Sequence, residues 1–202
     1  MKPTDTLVDE HRLIEQVLNC LERMAERASR RAELDARRAD DAIAFLKTFV
    51  HGWHIPREEA YLSQAMVSLS ESRPEDLAFH DHRRCCTHLG EMELAAAAGR
   101  AGESGAAERF AEHAHAYIAV LMKHIEDEEV RLFPRIEDRQ TEPSPAERAI
   151  LPEPSLAQPM DRGQFARYTK AANRLADHYN VPRAGGLAMP VGPAGRAKSA
   201  VS

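Results

Sequence analysis

The sequence predicts an all-α protein: an up-down-up-down four-helix bundle with an additional C-terminal helix and a disordered tail. Three observations point there. The 202 residues are 43% hydrophobic and 29% charged, enough to fill a core and to solvate its surface. Only 6 Phe, 4 Tyr and 1 Trp are aromatic, and the remaining apolar residues are mostly Ala, Leu, Val, Ile and Met, which favour helices over strands. Finally, of 12 prolines only Pro3, Pro56, Pro74 and Pro134 precede residue 140, and the others crowd between Pro143 and Pro193. Proline is excluded from helix interiors, so long helices belong before that boundary and irregular chain after it.

The elements follow in order. Thr4 is a candidate N-cap for a first helix, with Leu7, His11, Ile14, Leu18, Leu21 and Ala25 at spacings of three and four. An Arg- and Ala-rich stretch makes a turn into a second helix over Asp35 to Gln64, with Ile43, Leu46, Val50, His54, Glu58 and Leu62 on one stripe. A third begins near Ser72 and Pro74 and runs to the alanine block 95–98. Gly99, Gly102 and Gly105 mark a loop, and a fourth helix carries Phe110, Tyr117, Leu121, His124, Glu128 and Leu132 and ends near Pro134. Four helices with short connections form an antiparallel bundle. Past the prolines, Phe165, Tyr168, Ala172, Leu175 and Tyr179 give a fifth, docking helix. The expected divisions are a bundle over 1–140, a Pro-rich linker over 141–160, an accessory helix over 161–180 and a disordered tail over 181–202.

Charge narrows the function classes. With 27 basic and 32 acidic side chains the formal net charge is −5, which gives no general attraction to phosphate backbones and argues against nucleic acid as a partner. No signal-peptide pattern or membrane-length apolar run occurs, so a cytoplasmic address away from membranes is expected. Cys20, Cys85 and Cys86 form no CxxC pair and suggest neither a disulfide framework nor a zinc knuckle.

The informative feature is a chemical repeat. His54-Ile-Pro-Arg-Glu58-Glu59 and His124-Ile-Glu-Asp-Glu128-Glu129 share the pattern His-x-x-x-Glu-Glu. Each follows an acid-His-Arg triplet: Glu10-His11-Arg12 stands 43 residues before His54, and Asp81-His82-Arg83 stands 42 before His124. The chain is two helix pairs on one plan. Residues four apart on a helix lie about 40° apart in azimuth and about 6 Å apart along the axis, so each His and Glu point at one place. His11 and His82 bring the set to four imidazoles and two carboxylates, and burying these without a partner is costly. Such a set serves two metal ions about 3.5–4 Å apart, with coordination positions left for a small ligand. Nitrogen and oxygen donors suit iron or manganese better than thiolate-preferring metals, and ligand type alone leaves manganese and zinc open.

The runs Asp9-Glu10-His11-Arg12-Leu13-Ile14-Glu15 and His124-Ile-Glu-Asp-Glu128-Glu129-Val-Arg-Leu-Phe-Pro134 resemble those of hemerythrin-like (HHE cation-binding) domain proteins over roughly residues 4–138. The resemblance implies a non-heme di-iron site of two iron ions, ligated by His11, His54, Glu58, His82, His124 and Glu128. Proteins similar to it bind oxygen, respond to nitric oxide or peroxide, or are implicated in iron-sulfur repair. The expected function is binding of, or reaction with, a small diatomic or peroxide ligand for sensing or stress protection. A peroxidase or catalase-like enzyme and a metal-storage or structural module are the alternatives, and a protein partner would be recruited through the C-terminal helix.

Three departures from the family pattern stand out. Pro56 lies inside the first His-x-x-x-Glu and predicts a kink. Leu62-Ser63-Gln64 stands where the second motif has Leu-Phe-Pro. Cys86 occupies the position four after His82 where the oxygen carriers have a histidine, which argues against a pure oxygen carrier. Among the other residues, Glu15 is a candidate to hold a ligand imidazole and Tyr117 to cap the pocket, while His51 and His80 are alternative ligands. Cys85 and Cys86 read as small buried residues, with a redox role for Cys86 as the minority reading. His113, about 16 Å along the helix from His124, is too far for the same centre; His88, His115 and His178 read as surface residues or supports behind the ligands.

Overall fold

The computed structural model describes residues 3–67, 75–141 and 160–185, and every regular element among them is helical. Helix α1 is Pro3–Arg31. Helix α2 spans 36–67 as one helix in three parts: Ala36–Phe45, a π-helical stretch Leu46–His54, and Ile55–Val67. Helix α3 is Glu75–Arg100. Helix α4 spans 106–141 as Ala106–Asp127, a π-helical stretch Glu128–Leu132, and Phe133–Thr141. Helix α5 is Arg162–Tyr179.

Cross-helix pairs give the directions. Asp40 meets Arg100 and Lys47 meets Glu93, so α2 and α3 are antiparallel. Thr4 bonds Glu137, His11 meets Glu129 and Glu22 meets His115, so α1 and α4 are antiparallel as well. Helix α5 lies against α1 and α2. Gln16 bonds Asn173 and Arg27 stacks on Tyr179, which makes it parallel to α1; Phe45 meets Tyr168 and Phe49 meets Phe165, which makes it antiparallel to α2. Its side chains Phe165, Ala172, Leu175, Ala176 and Tyr179 are buried in the same core as Leu21, Phe45, Phe49 and Phe110.

Several boundaries differ from expectation for physical reasons. Thr4 lies inside α1, with its hydroxyl on Glu137 rather than on a backbone amide. Neither Pro56 nor Pro134 breaks its helix. Each stands two residues after a π-helical stretch, and the residues before them, Ile55 (φ −53°, ψ −49°) and Phe133 (φ −61°, ψ −45°), stay helical. A proline ring crowds the carbonyl four residues back and lacks a donor; a wider π turn relieves both, so α4 continues past Pro134 to Thr141. Gly102 and Gly105 turn the chain between α3 and α4 with φ of 76° and 75°, while Gly99 belongs to the last turn of α3. Asp35 caps α2 through Arg38 N, and Asp161 caps α5 through Gly163 N and Gln164 N. The expected start of α3 at Ser72 and Pro74, nearly all of the linker, and the tail beyond Gly185 lie outside the described residues.

Candidate metal centre

All six residues singled out in the sequence are buried and converge inside the bundle. His11, His54, Glu58, His82, His124 and Glu128 are each no more than 4% exposed. Helices α1 and α2 supply His11, His54 and Glu58, and helices α3 and α4 supply His82, His124 and Glu128. Two groups have donor atoms close enough for one ion: His11 with His54 and Glu58, and Glu58 with His82 and His124.

Glu58 belongs to both groups because its two oxygens face different halves. Its Oε2 is 3.0 Å from His54 Nε2, while Oε1 is 3.4 Å from His82 Nε2 and 3.5 Å from His124 Nε2. Glu128 Oε2 lies 3.4 Å from both His11 Nε2 and His124 Nε2. Despite this proximity, neither oxygen of Glu58 or Glu128, nor Nε2 of His11, has a hydrogen-bond partner among the described residues. Buried polar atoms are nearly always satisfied, so five orphaned atoms aimed at shared points fit a cation between them.

The far sides of the rings orient them. His11 Nδ1 donates to Glu129 at 3.0 Å, His54 Nδ1 to Glu10 at 2.9 Å, and His82 Nδ1 to Glu59 at 2.8 Å. A carboxylate can only accept, so each Nδ1 carries the hydrogen, and a neutral ring then turns its Nε2 lone pair inward. The second Glu of each His-x-x-x-Glu-Glu thus holds the triplet histidine of the other helix pair. The repeat contained that signal, but its cross-pair direction depends on packing. Glu15, the sequence candidate for such a role, instead accepts from Arg12.

Burial opposes charge throughout the centre. His11, fully buried, is pushed down to about 4; at His54 the carboxylates of Glu10 and Glu58 outweigh burial and hold its pKa up at about 9. Burial also opposes ionisation of Glu58, but the imidazoles of His124, His54 and His82 bring its pKa well below the usual carboxylate range. Glu128, buried and facing the Glu58 charge, is driven the other way. A cation between Glu58 and Glu128 would offset both the burial and the repulsion.

The two halves differ in their supports. Glu10, 3% exposed, holds both His54 and the buried guanidinium of Arg57, which stacks 4.7 Å over Trp53. At the corresponding places in the second pair, Asp81 accepts from Arg84, and Asp127 pairs with Lys123 and Arg131 at the surface. Below the centre, Phe133 stacks on His11 with centroids 5.9 Å apart and joins Leu7, Tyr61, Leu62, Ala65 and Ile136 in a second apolar cluster. Tyr61 and Leu62 therefore pack in the half that lacks Leu-Phe-Pro.

Beside the His82 half runs a chain of three exchangeable groups. Tyr117, fully buried, is 3.0 Å from His51 Nε2, and His51 Nδ1 is 3.2 Å from Cys86 Sγ. Burial, with the nearby His82 and His54, keeps His51 down at about 4, so the neutral ring has one donor and one acceptor nitrogen and the chain is directional. His51 is thus engaged outside the six-residue cluster, and Cys86 is exposed rather than buried; Cys85 is the buried one. His80 is exposed beside Asp81, and His115 and His178 face Glu22 and Asp35.

The family model for the hemerythrin HHE cation binding domain matches residues 2–136 and, a second time, residues 73–180. Searches of the curated proteins and of the solved structures give no match. No helix among the described residues is long and apolar enough to cross a membrane.

Proposed function

The chain belongs to the hemerythrin HHE cation-binding domain family, and from that premise we infer a non-heme di-iron protein that binds or reacts with oxygen, nitric oxide or hydrogen peroxide for sensing or stress protection. In this reading His11, His54 and Glu58 hold one iron, His82, His124 and Glu58 hold the other, and Glu128 reaches both halves. The observation that carries it is that Glu58 and Glu128 have orphaned carboxylate oxygens, and that each of these two residues comes within 3.5 Å of ligand-type nitrogens from both helix pairs.

Iron supplies one-electron and oxygen chemistry when bound. The chain's own residues supply the rest. Glu10, Glu59 and Glu129 fix the imidazole planes, and Phe133 and its apolar neighbours close one end to water. The His82 and His124 half has one histidine fewer than the oxygen carriers and lacks the buried Glu10–Arg57 support, which favours an exchangeable ligand there. A reduced sample opened to air is therefore expected to change its absorption to that of a stable ferric pair. A long-lived oxygen adduct reversed by removing oxygen would instead indicate a carrier, and a colourless, inert protein a storage or structural module.

An enzyme acting on hydrogen peroxide is the second reading, favoured by the Cys86–His51–Tyr117 chain leading from the surface inward. Peroxide turnover that His51→Phe slows, with iron content unchanged, supports it. For a protein partner, α5 has only its outward residues to offer, because its apolar face packs on α1 and α2.

A further inference from the structure

Away from the bundle centre, α3 and α4 bring a second pair of imidazoles face to face. His88 Nδ1 lies 3.2 Å from His113 Nδ1, with ring centroids 5.5 Å apart and both residues half-buried. The same relation occurs in the metal centre, where His82 Nε2 lies 3.0 Å from His124 Nε2. Two nitrogens bound to one tetrahedral ion at about 2.0–2.1 Å stand about 3.3 Å apart, so both pairs are at the spacing of two ligands sharing one ion. Glu91, one turn after His88, lines one open cavity with His113.

His88 is six residues from His82, about 9 Å along α3, and is half-buried where His82 is buried. The pair is therefore separate from the six residues of the centre. Burial, with His113 and Arg84 nearby, lowers the pKa of His88 and favours its neutral form, the one that binds metals.

We propose that His88 and His113 form a second cation site between α3 and α4, suited to a borderline divalent ion of the zinc, nickel or copper type. Imidazole nitrogens are donors such ions favour, and the open cavity side leaves room for water as the remaining ligands. An ion there ties α3 to α4, so its binding raises the melting temperature.

The test is calorimetric titration of the iron-loaded full-length protein with Zn(II), alongside thermal melts. One saturable equivalent beyond the metal already present is expected, weakened about tenfold or more in His88→Ala and in His113→Ala and unchanged in His115→Ala. Zinc should raise the melting temperature of the native protein and not that of His113→Ala. Absence of saturable binding, or equal affinity in native protein and His113→Ala, overturns the proposal.

Discussion

Glu59 Oε1 stands 2.8 Å from Nδ1 of His82, across two helices, and the related pair Glu129 and His11 stands at 3.0 Å. Each helix pair therefore holds the triplet histidine of the other. Removing the negative charge without removing the shape isolates this support. Glu129→Gln, beside a fully buried ring, is expected to weaken iron binding by about 10- to 100-fold, and Glu59→Gln, more exposed, by less. Competition with a chelator measures both. Unaltered affinity in Glu129→Gln would mean that packing against Phe133 alone orients His11.

The residues that project from a helix at fixed intervals were legible in the sequence. His54 with Glu58 and His124 with Glu128 follow from helical spacing, and the matching triplets at His11 and His82 follow from the repeat. Contacts that depend on how helices pack were not. Cys86, His51 and Tyr117 come from three helices, and no periodicity brings them together. The continuation of α4 beyond Pro134 was hidden for a different reason: proline rules describe an α-helix, and the π-helical stretch Glu128–Leu132 changes the geometry to which they apply.

Metal-free protein should show a stability maximum near pH 6.5. Both histidines titrate near 6.5 when unfolded. Burial lowers His11 to about 4 in the fold, so from pH 4 to 6.5 the unfolded chain binds the extra proton and stability rises with pH. Glu10 and Glu58, against burial, raise His54 to about 9, so above 6.5 the fold alone keeps that proton and stability falls. The His54 contribution is on the order of 3 kcal/mol and is lost by about pH 9. Urea unfolding in the presence of chelator reads this directly; stability still rising from pH 7 to 9 would contradict it. Glu10→Gln should flatten the alkaline limb.

A chain ending at residue 141 keeps all six residues of the centre and loses α5. Phe165, Leu175 and Tyr179 bury their side chains against α1 and α2, at roughly 1.5–3 kcal/mol per large apolar side chain. We propose that the bundle over 1–140 is the metal-binding unit and α5 an addition to its core. The truncated chain is then expected to bind iron and to melt at a markedly lower temperature. Iron-binding affinity and calorimetry on the same sample decide the matter: loss of both iron and helicity would place α5 within the unit, and an unchanged melting temperature would show that its apolar face contributes nothing.

We propose that six buried residues from two helix pairs hold two irons. This is tested most directly by elemental analysis of full-length protein produced with ample iron, together with His124→Ala, Glu128→Ala, His115→Ala and His178→Ala. Two irons per chain are expected in the native protein, most of the metal lost in the first two variants, and full retention in the last two, whose imidazoles face Glu22 and Asp35 away from the centre. No stoichiometric metal in the native protein, or equal retention in all four variants, would rule out a di-iron centre at these residues.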